Sequence, residues 1–362
     1  MKVLFVVPYP EASAPSQRLK FEQYFPYFRE QGVACVVRPF MSETLYKIIY
    51  QKGCYGKKTI ETLLGLLRRI GTLHEARHVD LIYLHLEAIP FGPPLLEYLY
   101  QHWLKKPILL DMDDFINLPH SSAANPIVKF LRYPKKIEQV IRLSNHVIVV
   151  TPFLADYVRP FNPHVSVIPP TINTDLYQSK WSRANGTQPV CIGWSGSYTT
   201  APYLKLLHHV LLTLQKKYVL RIKVVGAPPH FSLPGVNLEL IPWRRESEVF
   251  HLQEMDIGLY PLPNDPWIRG KGGLKALQYM GVGVPPVCSS VGVNPQIIQD
   301  GENGFLARDD EEWVGKISRL IEDEGLRRQM GERAREDVER LYSVRHFAPE
   351  YLRILKSVCS IK

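Results

Sequence analysis

Short apolar runs recur along the whole chain, each followed by a longer stretch of helical period, and this alternation constrains the fold more than any other feature. Runs at 3–7, 34–38, 81–85, 108–111, 147–150 and 166–168 read as strands, and a second series follows at 190–194, 221–225, 238–241, 257–260 and 286–288. Strands that alternate with helical segments are the signature of stacked βαβ units and parallel sheets. Between the first two runs, Leu19, Tyr24, Phe25 and Phe28 recur at helical spacing, with Gly32 as the stop. Near the end Trp313, Ile317, Leu320 and Ile321 form one apolar helix stripe, and Phe347, Tyr351, Leu355 and Val358 another.

The stretch PPTINTDLYQSKWSRANGTQP is polar and turn-rich, which predicts a linker over 171–189. A first α/β domain then covers 1–170, a second covers 190–340, and a helical tail covers 341–362. A chain of 362 residues is long enough to give each domain its own core. No apolar run approaches the roughly 20 residues of a membrane span. The opening MKVLFVVPYP has too small an apolar core for a signal peptide and reads as a buried strand. Five scattered cysteines without Cys-x-x-Cys spacing argue against a disulfide framework or a zinc site, so we expect a cytoplasmic protein without a metal.

The net charge is +9, and it is uneven: 20 Lys/Arg stand against 14 Asp/Glu up to Pro170, and 24 against 21 beyond. The surplus falls mainly in 47–70 and 127–143, where cations mix with Leu, Ile, Phe and Tyr. Such segments suit peripheral contact with an anionic membrane, at its inner face, and equally a solvated helix face. No helix-turn-helix, zinc or RNA-recognition pattern accompanies the charge, which excludes nucleic acid as a partner.

Parallel sheets present their ligands at the carboxyl ends of the strands. Gly193, Ser195, Gly196 and Ser197 in CIGWSGS follow a strand and precede a helical stretch, so their N–H groups and hydroxyls could face a phosphate. RGKGGLKALQYMG sets Arg269 and Lys271 among Gly270, Gly272 and Gly273, just ahead of a helix starting near Gly273. Two loops suited to anions in one domain predict a bound diphosphate. Trp243, with Arg244 beside it, could border a flat base. In the first domain ILLDMDDF ends a strand with Asp111, Asp113 and Asp114, and LIYLHLE ends another with His85 and Glu87. Ser16 and Arg18, in the loop after the first strand, could hold an acceptor group or serve as a cap and a surface cation. The Asp-x-Asp spacing is not read as a phosphatase site, because Phe115 replaces the Thr/Val and no Gly-Asp-x-x-x-Asp cluster follows.

The segment GGLKALQYMGVGVPPVCSSVGVNPQIIQDGENGFLA resembles the signature of retaining glycosyltransferases of the GT-B fold, family 4 type. VSVIPPTINTDLY is similar to the crossover those enzymes carry between their domains. The resemblance implies an α/β chain of two Rossmann-like domains facing across a cleft, with the C-terminal helix returning to the first. It implies a nucleotide-diphosphate sugar (a UDP- or GDP-sugar) as donor substrate in the second domain, with no cofactor required. It further implies a glycan or lipid-linked acceptor, and a role in cell-surface polysaccharide or glycolipid biosynthesis. The family's paired glutamates, eight apart, fall on Gly270 and Gln278, so the chain looks like a variant subgroup lacking the first. Gln278 then inherits the ribose hydroxyls, since an amide both accepts and donates. Lys271 and Lys275 fit that subgroup's Lys-x-x-x-Lys-x-Leu-x-Tyr-Met run, and Leu274 between them is expected to border the donor with Gly272 and Gly273. Lys271, Asp113 and His85 are the expected catalytic residues. The alternatives are a donor-binding subunit without activity, which the missing glutamate favours, and a nucleotide-sugar epimerase or hydrolase, which needs a complete carboxylate set and gains little support from that loss.

Overall fold

The computed structural model describes residues 1–49, 51, 53–113, 133, 135–179 and 189–360. The chain divides into two compact units: Met1–Pro169 with Phe347–Lys362, and Pro170–His346.

The first unit is built on six parallel strands: β1 (Lys2–Val7), β2 (Ala34–Pro39), β3 (Leu81–His85), β4 (Ile108–Met112), β5 (His146–Val149) and β6 (Val165–Val167). They lie in the order β2-β1-β3-β4-β5-β6. Every residue of β3 and β4 is buried, which is why both read as unbroken apolar runs. The helix expected over 16–32 is instead broken into Pro15–Arg18, a 3₁₀ turn Glu22–Tyr24, and Phe25–Glu30. Pro26 explains the restart: it has no N–H, so a helix can begin around it but not run through it. The pieces dock by aromatic contacts, Phe21 and Phe25 lying 5.7 and 4.8 Å from the Phe5 ring. The C-terminal helix Val344–Cys359 buries Tyr351, Leu355 and Val358. Tyr351 packs 4.9 Å from Tyr24 and hydrogen-bonds Tyr83 on β3, which joins the tail to the first unit.

The second unit repeats the plan with β7 (Val190–Ser195), β8 (Leu220–Val225), β9 (Glu239–Ile241), β10 (Ile257–Tyr260), β11 (Pro286–Ser289) and β12 (Phe305–Ala307). Their order is β12-β11-β10-β7-β8-β9, again all parallel. β12 has no counterpart among the runs read from the sequence, because three residues are too few to show a period. In the middle of the sheet Gly258 makes room for Tyr279: a Cβ there would lie 2.4 Å from the ring. The crowding lets the Tyr279 hydroxyl bridge two strands, accepting from Ser195 N–H at 2.8 Å and donating to Leu259 O at 3.2 Å.

Candidate functional site

The carboxyl end of β7 leads into the first anion-suited loop. Gly193 belongs to the strand itself, packed on Met255, so it takes no part in the loop. Ser195 is the last strand residue, and Gly196 N–H donates to Val225 O at 3.0 Å. Ser197 is exposed and closes a local turn, its N–H donating to Thr200 Oγ1 at 2.9 Å and its hydroxyl 2.9 Å from Thr199 Oγ1. A 3₁₀ turn, Ala201–Leu207, separates this loop from the α-helix His208–Lys217.

The second loop starts the helix Leu274–Gly281. Its N-cap, Gly273, has φ +73°, and a Cβ there would lie 2.4 Å from Ile297 Cδ1. Only glycine meets both demands. The first N–H groups of such a helix have no partner inside it and favour negative charge. Lys275, one residue into the helix, turns its ammonium toward β7, donating to Ser195 Oγ at 3.4 Å and to Gln278 Oε1 at 2.8 Å. Lys271 lies with Nζ 4.8 Å above the Trp267 ring, and Arg269 is an exposed cation ending the helix Pro266–Arg269. Gly272 and Leu274 flank the cap and are half-buried. Beside the cap stands Asn294, whose Nδ2 donates to Ser289 O at 2.9 Å. Its buried Oδ1 has no hydrogen-bond partner among the described residues and lies 3.7 Å from where a Gly273 Cβ would be.

Gln278 is fully buried on the same helix, and its amide is committed within the protein. Nε2 donates to Tyr177 OH at 2.8 Å and to Glu248 Oε1 at 3.1 Å, while Oε1 accepts from Lys275. Glu248, buried at the start of the helix Glu248–Gln253, also accepts from Trp243 Nε1 and from Tyr177 OH, each at 3.1 Å. Three neutral donors thus hold one carboxylate. A glutamate at position 278 would press a second carboxylate against the first at about hydrogen-bond distance, where two like charges cannot both ionise freely. The amide meets both neighbours at once, donating to Glu248 and accepting from the Lys275 ammonium. The Trp243 indole is half-buried with its N–H edge tied to Glu248.

In the first unit His85 and Asp111 face each other in register at the ends of β3 and β4. His85 Nδ1 lies 2.7 Å from Asp111 Oδ2, and Lys20 Nζ lies 2.5 Å from Asp111 Oδ1, with all three side chains buried. Burial pushes the Asp111 carboxyl up, but the Lys20 ammonium and the His85 hydrogen bond outweigh it and hold the pKa below the usual value. His85 Nε2 has no hydrogen-bond partner among the described residues; Asp113 Oδ1 is 4.0 Å away. Asp114 lies outside the described residues. Glu87 pairs with Lys136 at 3.2 Å. Ser16 and Arg18 lie in the short helix Pro15–Arg18, whose cap residue is Ala14. Buried Gln17 between them ties Tyr9 to Glu22 through its amide.

Sequence reasoning passed over Lys20, Tyr177, Glu248 and Asn294. Glu248 stands five residues after Trp243 and Asn294 sits inside the signature segment, yet neither position says what it will touch.

Residues 249–337 match the family model described as "Glycosyl transferases group 1". An 81-residue stretch is 37% identical to N-acetyl-alpha-D-glucosaminyl L-malate synthase of Bacillus anthracis, over 22% of this chain and 21% of that protein. The match spans about a fifth of the length of the curated relatives. Over the whole chain, the crystal structure of a glycosyltransferase from Rickettsia africae ESF-5 superposes with TM-score 0.72 at 14% identity, covering 100% of this chain and 99% of that one. Anabaena Alr3699/HepE in complex with UDP-glucose gives TM-score 0.68 at 14% identity, covering 99% and 100%. The chain therefore has the GT-B fold. On that fold, residues 249–337 are similar to the group 1 glycosyl transferases.

Proposed function

We propose that this protein is a retaining glycosyltransferase that moves a sugar from a nucleotide-diphosphate sugar to a glycan or lipid-linked acceptor, in the assembly of a cell-surface polysaccharide or glycolipid. The observation that carries the reading is the helix start at Gly273, beside which the Lys275 ammonium donates to Ser195 at the end of β7. A departing diphosphate gathers negative charge, and donors already fixed in place stabilise it without reorganising. In this reading Lys271 and Arg269 supply further cations, and the Ser195–Ser197 turn borders the phosphates. The UDP-glucose bound by Anabaena Alr3699/HepE supports a UDP-sugar donor ahead of a GDP-sugar.

Gln278 takes a positioning role, since its amide is spent on Glu248 and Tyr177. It fixes the carboxylate that steadies the Trp243 edge, and Trp243 borders the base. Asn294 Oδ1 is an acceptor suited to a sugar hydroxyl of the donor. His85, oriented by Asp111, offers an Nε2 lone pair to a hydroxyl, with Asp113 beside it. Transfer passes through a state with positive character at the anomeric carbon, and a carboxylate such as Asp113 is the kind of group that favours it.

The test is thermal unfolding with UDP-glucose, UDP-N-acetylglucosamine, UDP-galactose and GDP-mannose in turn. A true donor at about a hundred times its dissociation constant adds roughly 2.7 kcal/mol. Lys271→Ala should then lower transfer by about a hundredfold or more. No stabilisation by any of these donors would overturn the reading, and stabilisation without transfer to any acceptor would reduce the protein to a donor-binding subunit.

A further inference from the structure

The long helix Tyr55–Ala76 is packed with its apolar face outward. Ile60, Leu63, Leu67 and Ile70 are 60%, 55%, 63% and 59% exposed, and Leu64 is exposed with them. At 3.6 residues per turn these five make one continuous stripe. The opposite face is buried and holds Lys58, Gly65, Arg69, Thr72 and Ala76. Polar contacts seat that face. The Arg69 guanidinium donates to Ala88 O and Arg38 O, both at 2.6 Å, and to Val7 O at 2.5 Å. Lys58 donates to Gln51 O, and Thr72 bonds Tyr100. An ordinary surface helix turns the other way, with aliphatics on the core and cations in water.

Charge is sorted on the same helix. Its carboxylates are drawn aside, Glu61 accepting from Ser42 Oγ at 2.6 Å and Glu75 from Arg38 at 2.9 Å. Lys57 and Arg68 are exposed along one edge of the stripe. At the helix end Arg77 lies 5.5 Å over the Trp103 ring, and Trp103, Tyr98 and Leu95 on the neighbouring helical segment are 59%, 55% and 65% exposed. A stripe this apolar exceeds the scattered hydrophobics of a typical protein surface. Among the described residues no helix is long and apolar enough to cross a bilayer.

We propose that this face lies on a membrane of anionic lipids, with Ile60, Leu63, Leu64, Leu67 and Ile70 in the headgroup–acyl boundary and Lys57 and Arg68 on the phosphates. Charge complementarity selects this occupant. Aliphatics flanked by cations, with tryptophan and tyrosine at the margin, match an interfacial helix. In the other basic segment Lys136 is buried and reaches Ile89 O.

The experiment sediments the full chain with vesicles of phosphatidylcholine alone, and with vesicles in which about a third of the lipid is phosphatidylglycerol. The chain should bind the second kind and not the first. Leu63→Glu with Leu67→Glu should weaken binding about a hundredfold with an unchanged melting temperature, since both positions are exposed. Lys57→Glu alone should cost about tenfold, and less at high salt. No binding of the parent chain to anionic vesicles, or equal binding by the double variant, overturns the proposal. So does a lipid-free dimer that the double variant splits, which would assign the stripe to a second copy. The readout does not depend on sugar transfer, so the donor reading and this one can fail separately.

Discussion

Asp111 near the end of β4 in the first unit and Glu248 at the start of a helix in the second are both buried carboxylates, yet they are held by opposite means. Asp111 stands between a lysine ammonium and a histidine. Glu248 stands among an indole N–H, a phenol and an amide, none of them charged. The first arrangement relies on Coulomb attraction where little water screens it. The second relies on the geometry of three hydrogen bonds. Loss of the first carboxylate strands a buried cation, whereas loss of the second deprives an indole, a phenol and an amide of their acceptor, and the energetic consequences should differ accordingly.

The largest effect is expected at Asp111. Asp111→Asn leaves Lys20 buried without its counter-charge, at a cost of about 3–5 kcal/mol in urea unfolding. Its pH dependence has a definite sign. The folded pKa is depressed, so the carboxylate's contribution is complete above the ordinary aspartate value of roughly 3.9 and is lost as pH falls below it toward the folded value. The variant should lack that part of the acid slope. A smaller loss, about 2–3 kcal/mol at pH 7, is expected for Gln278→Glu, which sets two carboxylates together. The exchange variant Glu248→Gln/Gln278→Glu should recover most of that loss. The smallest effect, about 1–2 kcal/mol, belongs to Glu248→Gln, which keeps one acceptor oxygen but turns an NH₂ toward donors. If Glu248→Gln cost as much as Asp111→Asn, the contrast between ionic and neutral support would be wrong.

Much of the architecture was legible beforehand, for local reasons. The runs at 81–85 and 257–260 coincide with β3 and β10, because strands buried on both faces carry little but apolar residues. The helix start near Gly273 was legible because a positive φ needs glycine. The Asp-Gly-x-Asn-Gly-Phe run proves to be a fold element. Asn303 accepts from Gln299 N–H and donates to Ile297 O and Asp337, while a Cβ on Gly304 would lie 2.8 Å from Pro286 O. Hidden from view were the partners of the polar residues. Glu248 and Gln278 are separated by 30 positions, and nothing in either segment names the other. Lys20 read as part of an amphipathic helix, not as the counter-ion of Asp111.

The helix Tyr55–Ala76 marks the division most clearly. Its sequence determines that it is helical and two-faced, because the recurrence of Ile60, Leu63, Leu64, Leu67 and Ile70 is a property of neighbours along the chain. Which face turns inward was decided by distant groups: the carbonyls of Val7, Arg38 and Ala88 that receive Arg69, and Phe40 pressed against Gly65. Periodicity is local and can be read from one segment. Orientation depends on polar atoms that meet only after the strands have been brought side by side, so it belongs to the tertiary structure alone.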